Sequence, residues 1–293
     1  MNLIISTIDQ GLLWSLLSLG VFITFRILKF PDMTVEGSFP LGAALSALML
    51  QQHNIAFSLL VAFIGGCLAG LVTAILYNYF HVQSLLAGIL TLTGLYSVNL
   101  RILGQANMAI GDQHNLYQLP LFHQLTLDQR LLVINLVIML IALLLLAGLL
   151  YTEFGQSLIA AGDNPTMALS QGIAVKRTKT IGIVLSNGLI ALAGGLVAQY
   201  NGFADVNMGI GVMVIGLSAI IIGERLLVGK HFIAKLISII LGSVVYRLIL
   251  LLVLQLGFNA NDFKLFSAVI LAIFIIAPQQ KKGLTTKWPR VWL

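Results

Sequence analysis

The chain has 293 residues, of which 59% are hydrophobic and only 9% are charged, and its formal net charge is +6. Soluble domains carry about 25% charged residues, whereas here no Asp, Glu, Lys or Arg occurs between Gly37 and Leu100. This composition excludes an ordinary soluble domain and predicts an all-α, polytopic transmembrane bundle. The single cysteine, Cys67, excludes disulfides and cysteine-based metal sites. The N-terminus lacks the basic region of a signal peptide, so the first apolar run is expected to stay in the mature protein.

Apolar runs bounded by polar breaks predict about nine membrane spans, with a range of eight to ten, in one permease-like domain covering 1–293. The run at 84–99 is short and interrupted by glycine, which is compatible with half a helix. The predicted spans are 8–28, 37–51, 55–79, 84–99, 130–151, 179–200, 208–223, 233–256 and 264–279.

The distribution of Lys and Arg predicts the orientation of these spans. The hairpin at 151–177, the link at 223–235 and the tail at 280–293 are all basic, which places them and the C-terminus in the cytoplasm. The nearly neutral loop at 101–129 is then external. Nine spans would leave the N-terminus outside.

A weak internal repeat relates two stretches that begin with Phe-x-Asp, at Phe30 and at Phe203. Each precedes an apolar run, and an odd number of predicted spans separates them, so the two copies would enter the membrane from opposite sides. Inverted repeats with broken helices at matching positions are common in transporters and point to the pathway. The alternative is that each Asp only caps a helix.

The segment 151–177 is the longest polar interruption in the chain. Its centre, Gly162-Asp163-Asn164-Pro165, cannot lie in hydrocarbon because its polar groups would be unpaired there. Its end is basic, with Lys176, Arg177 and Lys179. We therefore predict a cytoplasmic helical hairpin that presents a surface to a soluble partner.

Motifs for other functions are weak. The stretch Gly223–His231 has the wrong glycine spacing for a phosphate-binding loop and lacks its Ser/Thr, so no nucleotide site is predicted. The five histidines are scattered, and no catalytic motif or paired carboxylates occur, so an enzyme, a metal centre and nucleic-acid binding are all disfavoured.

A few polar residues lie close to the apolar runs. Charges at membrane depth are costly and usually face a cavity or a partner. Arg247 lies inside a span, where snorkelling or pairing with a carboxylate is favoured over substrate contact. The candidates for a pathway or substrate site are Asp32, Glu36, Asn99, Arg101, Asp205 and Asn207.

Several stretches resemble permease subunits of bacterial ABC importers of the branched-chain amino acid permease type, and specifically the group described as tryptophan/tyrosine-type or uncharacterised-substrate permeases. They cover well over a third of the chain, in order. The stretches are FPDMTVEGSFPLGAA (30–44), LLAGILTLTGLYSVNLRILGQAN (85–107), TEFGQSLIAAGDNPTMALSQGI (152–173), LSNGLIALAGGLVAQYNGFADVNMGIGVMVIGLSAIIIGE (185–224) and NDFKLFSA (261–268).

The resemblance implies an inverted-repeat, type II importer permease in the bacterial cytoplasmic (inner) membrane. Two permease copies would form a dimer around the pathway, a lipoprotein or binding protein would deliver solute, and ATP and Mg²⁺ would bind only to separate ATPase subunits. It places the coupling helix at 160–172 and implies an amino acid, perhaps aromatic, as solute, with a peptide-like or heterocyclic solute as the alternative. The implied coupling residues are Ala161, Gly162, Asp163, Asn164, Met167 and Ala168.

Two stretches depart from the pattern of these permeases. Gln105-Ala106 replaces an expected basic residue and Pro in the outer loop, and Gln156-Ser157 and the residues after them are less basic than usual. The alternative function is an ion-coupled secondary transporter, which usually has an acidic residue in mid-span. Here Asp32, Glu36 and Asp205 all fall at predicted breaks.

Overall fold

The fold is described from a computed structural model, which describes residues 3–52, 54–110, 115–118, 126–227, 231–258 and 262–276. The basic tail at 280–293 and residues 111–114 and 119–125 of the predicted external loop therefore lie outside the described residues. Two short strands, β1 (Asn107–Ala109) and β2 (Phe203–Asp205), form an antiparallel ribbon. The α-helices in the described residues are α1 (Leu3–Val21), α2 (Val35–Gln51), α3 (Ile55–Asn78), α4 (Ser84–Leu103), α5 (Leu127–Tyr151), α6 (Glu153–Asp163), α7 (Pro165–Ser170), α8 (Val175–Asn201), α9 (Val212–Leu226), α10 (Phe232–Gln255) and α11 (Phe263–Ile276).

Among the described residues, seven helical segments are long and apolar enough to cross a membrane. The prediction of about nine spans is thus wrong by this measure, although the all-α polytopic fold is confirmed. The predicted spans 37–51 and 264–279 correspond to α2 and α11. Helix α2 has 17 residues, about 26 Å of helix against a hydrocarbon thickness of about 30 Å. For α11, 14 residues lie within the described part of the chain, and 277–279 lie outside it. The run at 84–99 is a complete 20-residue helix, α4, and not half of one.

Helices α1 and α8 form the centre of the bundle. The best apolar windows of the segments containing them are 78% and 72% buried, whereas those of α3, α4 and α5 are only 28–33% buried. The outer helices present long apolar side chains at their surface. Such a surface in a membrane protein is solvated by lipid, so it requires no further protein partner.

The first break follows α1. A π-helical turn, Phe22–Ile27, continues α1, and Lys29 then adopts a left-handed conformation, with φ of 53°. Two backbone hydrogen bonds with a longer spacing than in an α-helix close this end of the helix. Leu28 N–H donates to Ile23 O and Phe30 N–H donates to Thr24 O, each at 2.9 Å. The chain can therefore reverse inside the bundle before α2 starts.

Helix α2 runs parallel to α8 at very short distance. A Cβ on Gly194 would lie 1.9 Å from the carbonyl oxygen of Phe39, and one on Gly42 would lie 1.8 Å from that of Ala191. Glycine at these positions lets the two backbones touch, as small residues do in membrane helix packing. The close fit fixes the depth at which α2 begins.

The second break lies between α8 and α9, and the chain reverses its direction there. Strand β2, a 3₁₀ turn (Val206–Gly209) and Gly211, with φ of 85°, connect α8 to α9. Because α9 returns along the bundle after α8 while α2 runs parallel to α8, the two helices after the breaks point in opposite directions. This agrees with the inverted relation predicted from the Phe-x-Asp repeat.

Candidate coupling surface and intramembrane polar sites

The predicted hairpin consists of α6 and α7, joined at Asn164. This residue ends α6 and caps α7: its Oδ1 accepts hydrogen bonds from Met167 N–H at 3.1 Å and from Thr166 Oγ1 at 2.7 Å. Pro165 is the first residue of α7, where a missing N–H costs nothing. Asn164 and Pro165 therefore impose a sharp, defined corner on the hairpin.

The hairpin is anchored to the end of α1 by a very close backbone contact. A Cβ on Gly162 would lie 1.8 Å from the carbonyl oxygen of Ile27, so only glycine fits. Leu158 of α6 is fully buried. The Lys29 ammonium also donates to the Asp163 carboxylate at 2.5 Å. These contacts join the hairpin to the first break.

The predicted coupling residues divide into an inner and an outer set. Ala161, Gly162 and Ala168 are buried against the protein. Met167 is 60% exposed, and the neighbouring Leu169, which the sequence reasoning did not single out, is 59% exposed. Exposed apolar side chains on a polar hairpin are typical of a protein–protein contact.

Asp32 lies at the centre of a buried polar cluster in the first break. Its carboxylate accepts from Thr34 N–H at 2.9 Å and from Asn187 Nδ2 at 2.8 Å. Ser38 donates to Asn187 Oδ1 at 2.6 Å. Asn187 is about 18 Å from the start of α8, a helix about 40 Å long. Asp32 is thus a carboxylate near mid-membrane depth.

A threonine chain extends from the same break. The hydroxyls of Thr34 and Thr73 are 2.7 Å apart, and Thr73 donates to Thr91 at 2.9 Å. It links the start of α2 to α3 and α4. Buried polar groups that are fully hydrogen-bonded specify a unique packing. No local sequence pattern marks this row of threonines, because lone threonines in apolar runs are common.

Glu36 connects the two breaks. It is in the first turn of α2 and accepts a hydrogen bond from Gly211 N–H, at the start of α9, at 3.0 Å. A carboxylate at a helix N-terminus is favoured by the orphan N–H groups and the helix dipole. The starts of the two inverted helices are therefore held together by one side chain.

The remaining pathway candidates have different environments. Asn99 is fully buried and donates to the Gly37 carbonyl at 3.2 Å. Asp205 is half-buried and accepts from Asn207 N–H at 2.6 Å, the same two-residue turn that Asp32 makes with Thr34. Arg101 and Asn207 have exposed side chains. Asp205 thus caps the 3₁₀ turn that follows it, whereas Asp32 makes its turn just before α2, whose N-cap residue is Thr34. A role of either aspartate in a pathway stays a prediction.

The exposed face of α4 is unusual for a lipid-facing surface. It carries the polar residues Thr93, Ser97 and Arg101 among apolar ones. The exposed face of α5 in the middle of that helix is aliphatic, with residues such as Leu140, Leu144 and Leu145. The outer face of α4 is therefore more polar than that of α5, and a role of this face in a pathway stays a prediction.

Two further buried polar groups occur near the opposite end of the bundle from the hairpin. The Arg247 guanidinium lies over the Trp14 ring, 4.4 Å from its centroid, and donates to Gln10 Oε1 at 3.5 Å. Asn135 donates to Asp9 at 2.6 Å and accepts from Tyr117 at 2.8 Å. Burial raises the pKa of the Tyr117 hydroxyl well above its ordinary value, so it stays a neutral donor.

No cluster of three or more His, Cys, Asp or Glu side chains that could hold a metal ion occurs among the residues that the structure describes. The polar groups above are bonded to each other or to helix ends. The chemistry that the arrangement offers is hydrogen bonding and charge placement at helix breaks, which is the kind of site used to bind and pass solutes through a membrane.

A helical bundle with two inverted, broken segments and a polar hairpin defines a multi-pass membrane transport protein. The chain belongs to the family described as branched-chain amino acid transport system / permease component, which matches residues 3–278. It is 40% identical over 279 residues to a tyrosine transport system permease protein of Clostridioides difficile (strain R20291), covering 94% of this chain and 91% of that protein. It is also 34% identical over 195 residues to an uncharacterized protein of Rickettsia prowazekii (strain Madrid E), covering 66% of each chain. No solved structure gives a significant match.

Proposed function

We propose that this protein is the membrane permease subunit of an ATP-driven importer for an amino acid, in the bacterial cytoplasmic membrane. The observation that carries the proposal is the α6–α7 hairpin, which is fixed to the first helix break and presents Met167 and Leu169 outward. A second copy of the chain, external delivery of the solute by a binding protein and ATPase subunits at the hairpin complete the proposed importer.

The hairpin is well placed to transmit a movement. Lys29, which pairs with Asp163 of α6, is separated from the buried Asp32 by only two residues. A displacement of the hairpin by an ATPase would pull directly on the break that starts α2. ATP and the solute-binding protein must each favour one arrangement of this element, because a ligand shifts an equilibrium only through its differential affinity.

The pathway is proposed to run along α4 and the starts of α2 and α9, between two permease copies. The polar outer face of α4 and the half-buried Glu36 support this position. The proposed solute is an aromatic amino acid, since the relative of 40% identity is a tyrosine transport system permease protein. The ring of this solute would move past the apolar residues of α4, and its charged groups would move past the polar residues.

The test replaces the two exposed side chains of α7, in the variant Met167→Glu/Leu169→Glu. We expect loss of the ATPase subunit on affinity purification from native membranes, and loss of solute-stimulated ATP hydrolysis in proteoliposomes with the binding protein. The permease itself should remain folded, since both side chains are largely exposed. Asp163 is a poorer target, because reversing the charge of this residue would also break its ion pair with Lys29.

The matched control is Leu226→Glu/Leu227→Glu. These leucines are also exposed, at 49% and 41%, at the end of the bundle where Arg26 pairs with Glu224. The control should retain the ATPase. Equal retention by both variants would contradict the coupling assignment.

The buried Asp32 keeps an ion-coupled secondary transporter as the second candidate, because such carriers usually have a carboxylate at mid-membrane depth. Its hydrogen bonds to Thr34 and Asn187 favour a structural role. The same proteoliposomes distinguish the two functions. Uptake that requires ATP on the side of the ATPase subunits and persists in the presence of an uncoupler supports the importer. Uptake by the permease alone, driven by an ion gradient, refutes it.

A further inference from the structure

A groove of about 680 Å³ lies beside the hairpin, where the end of α3 meets the start of α8. It is bounded by the last turn of α3 and the residues that follow it, by α7 and by the first turn of α8. Its lining includes Tyr77, Val82, Leu169, Lys176, Arg177 and Lys179. The groove is therefore apolar and aromatic in its body and basic along one side.

Within the described part of the chain, no acidic side chain pairs with the cations of this groove. Two other cations at the same end of the bundle are paired: Arg26 with Glu224 and Lys29 with Asp163. Among the described residues, Lys176 and Arg177 form no ion pair, and no carboxylate lines the groove. Lys179 donates to the Tyr77 hydroxyl at 3.5 Å, and its ammonium lies 5.6 Å from the centroid of the same ring. The groove is thus complementary to an anion.

The groove also lies at the level where the membrane ends. The apolar span of α3 ends at Asn78, and Tyr79 and Phe80, which follow it, are 64% and 71% exposed. Aromatic side chains at such a position are typical of the membrane–water interface. One turn deeper on the same faces, Ile75 and Ile181 are exposed. An occupant with a charged head and an apolar chain fits both levels.

We propose that this groove binds an anionic phospholipid of the cytoplasmic leaflet. Lys176 and Arg177 hold the phosphate, and an acyl chain lies along Tyr79 and Ile75, which are one turn apart, and Ile181. Basic pockets between transmembrane helices on the cytoplasmic side are known to bind such head groups. Because Leu169 of α7 lines the groove, the bound lipid contacts the hairpin. This inference goes beyond the importer function and does not depend on it.

The experiment is native mass spectrometry of the detergent-purified permease titrated with phosphatidylglycerol or phosphatidylcholine. For Lys176→Gln/Arg177→Gln we expect roughly 30-fold weaker binding of phosphatidylglycerol, at about fivefold per cation, with no change for phosphatidylcholine. The charge-conserving variant Lys176→Arg/Arg177→Lys should bind as the unmodified protein does. Arg177→Gln alone should weaken binding about fivefold and serves if the double variant does not fold.

The charge-matched control is Lys281→Gln/Lys282→Gln, in the basic C-terminal tail. This variant loses the same charge and should keep tight phosphatidylglycerol binding. Equal weakening by both double variants would overturn the proposal in favour of non-specific attraction. Displacement of the lipid by millimolar inorganic phosphate would overturn it in favour of a site for a free anion.

Discussion

Asp32 and Asp205 make the same backbone turn in very different surroundings. Each accepts a hydrogen bond from the N–H two residues later, but Asp32 is only 1% exposed whereas Asp205 is half-buried. A carboxylate without water depends on its protein donors. Asn187, from α8, donates a side-chain hydrogen bond to Asp32, so these two residues should be strongly coupled in stability.

We therefore predict that Asn187→Ala lowers the free energy of unfolding by about 3 kcal/mol or more, since it removes one partner of a buried charge. Asp32→Ala should cost less, because it leaves no buried carboxylate behind. The double variant should lose less than the sum of the single losses. Unfolding in mixed micelles measures all three.

Asp205→Ala is the control for this double-mutant cycle, because it removes the same turn at a half-buried position. It should cost about 1 kcal/mol, as the loss of a helix cap does. Additive losses at Asp32 and Asn187, or a loss at Asn187 no larger than that at Asp205, would refute a coupled buried pair.

At the scale of elements, the contact between α6 and the end of α1 decides how the hairpin is held. Glycine at 162 lets α6 touch the carbonyl of Ile27. The touching segment is the π-helical turn, where carbonyl groups are released from regular i→i−4 pairing. The fixed position of the hairpin thus follows from one missing side chain and one irregular turn.

We predict that Gly162→Ala forces α6 away from the π-helical turn and lowers both the thermal stability of the permease and ATPase stimulation by solute. The added methyl group would overlap backbone atoms, which cannot rotate away as a flexible side chain can. Such overpacking costs about 1–3 kcal/mol or more. Thermal unfolding in detergent and ATPase assays on the reconstituted importer measure the two effects.

Gly148→Ala is the matched control, because Gly148 is also helical but a Cβ there has no atom within 4 Å. Alanine in an open helical position is about 0.5–1 kcal/mol better than glycine, so this variant should be as stable as the unmodified protein or slightly more so. If Gly162→Ala behaved like Gly148→Ala, the tight contact would have no role in holding the hairpin.

For the whole molecule, the sequence predicts the class of fold, the polar hairpin and the two inverted breaks, because each leaves a local mark in hydropathy or in a repeated motif. It does not predict the number of complete spans. Hydropathy treats α2 like any other apolar run, whereas its 17 residues are short and packed backbone to backbone on α8.

The partners of the polar residues also cannot be read from the sequence. Asp32 and Asn187 are 155 residues apart, and Glu36 meets Gly211 over 175 residues. Asp9 and Asn135, which bond across α1 and α5, lie within apolar runs and give no local signal. Local patterns identify Asp32 and Glu36 as exceptional, but only the packing decides whether such carboxylates bind other protein groups or a solute.

The orientation of the molecule in the membrane stays a prediction, and the described helices add to it by showing which residues share one end of the bundle. Lys29, Lys176 and Arg177 lie at one end of the bundle, with the hairpin. Arg225 at the end of α9 donates to the carbonyl of Phe274 near the end of α11, so residue 276 lies at this end too. The positive-inside rule places this end in the cytoplasm and the β1–β2 ribbon outside.

We predict that single cysteines report this orientation in a Cys67→Ala background, in the permease expressed without its partners. Met167→Cys, in α7, should react with a membrane-impermeant maleimide only in inside-out vesicles, and Asn207→Cys, next to the ribbon, only in right-side-out vesicles. Both native side chains are exposed, so access depends on sidedness and not on burial. Leu196→Cys, at a position 1% exposed, is the unreactive control. The reverse labelling pattern would invert the molecule and place the hairpin where no ATPase can reach it.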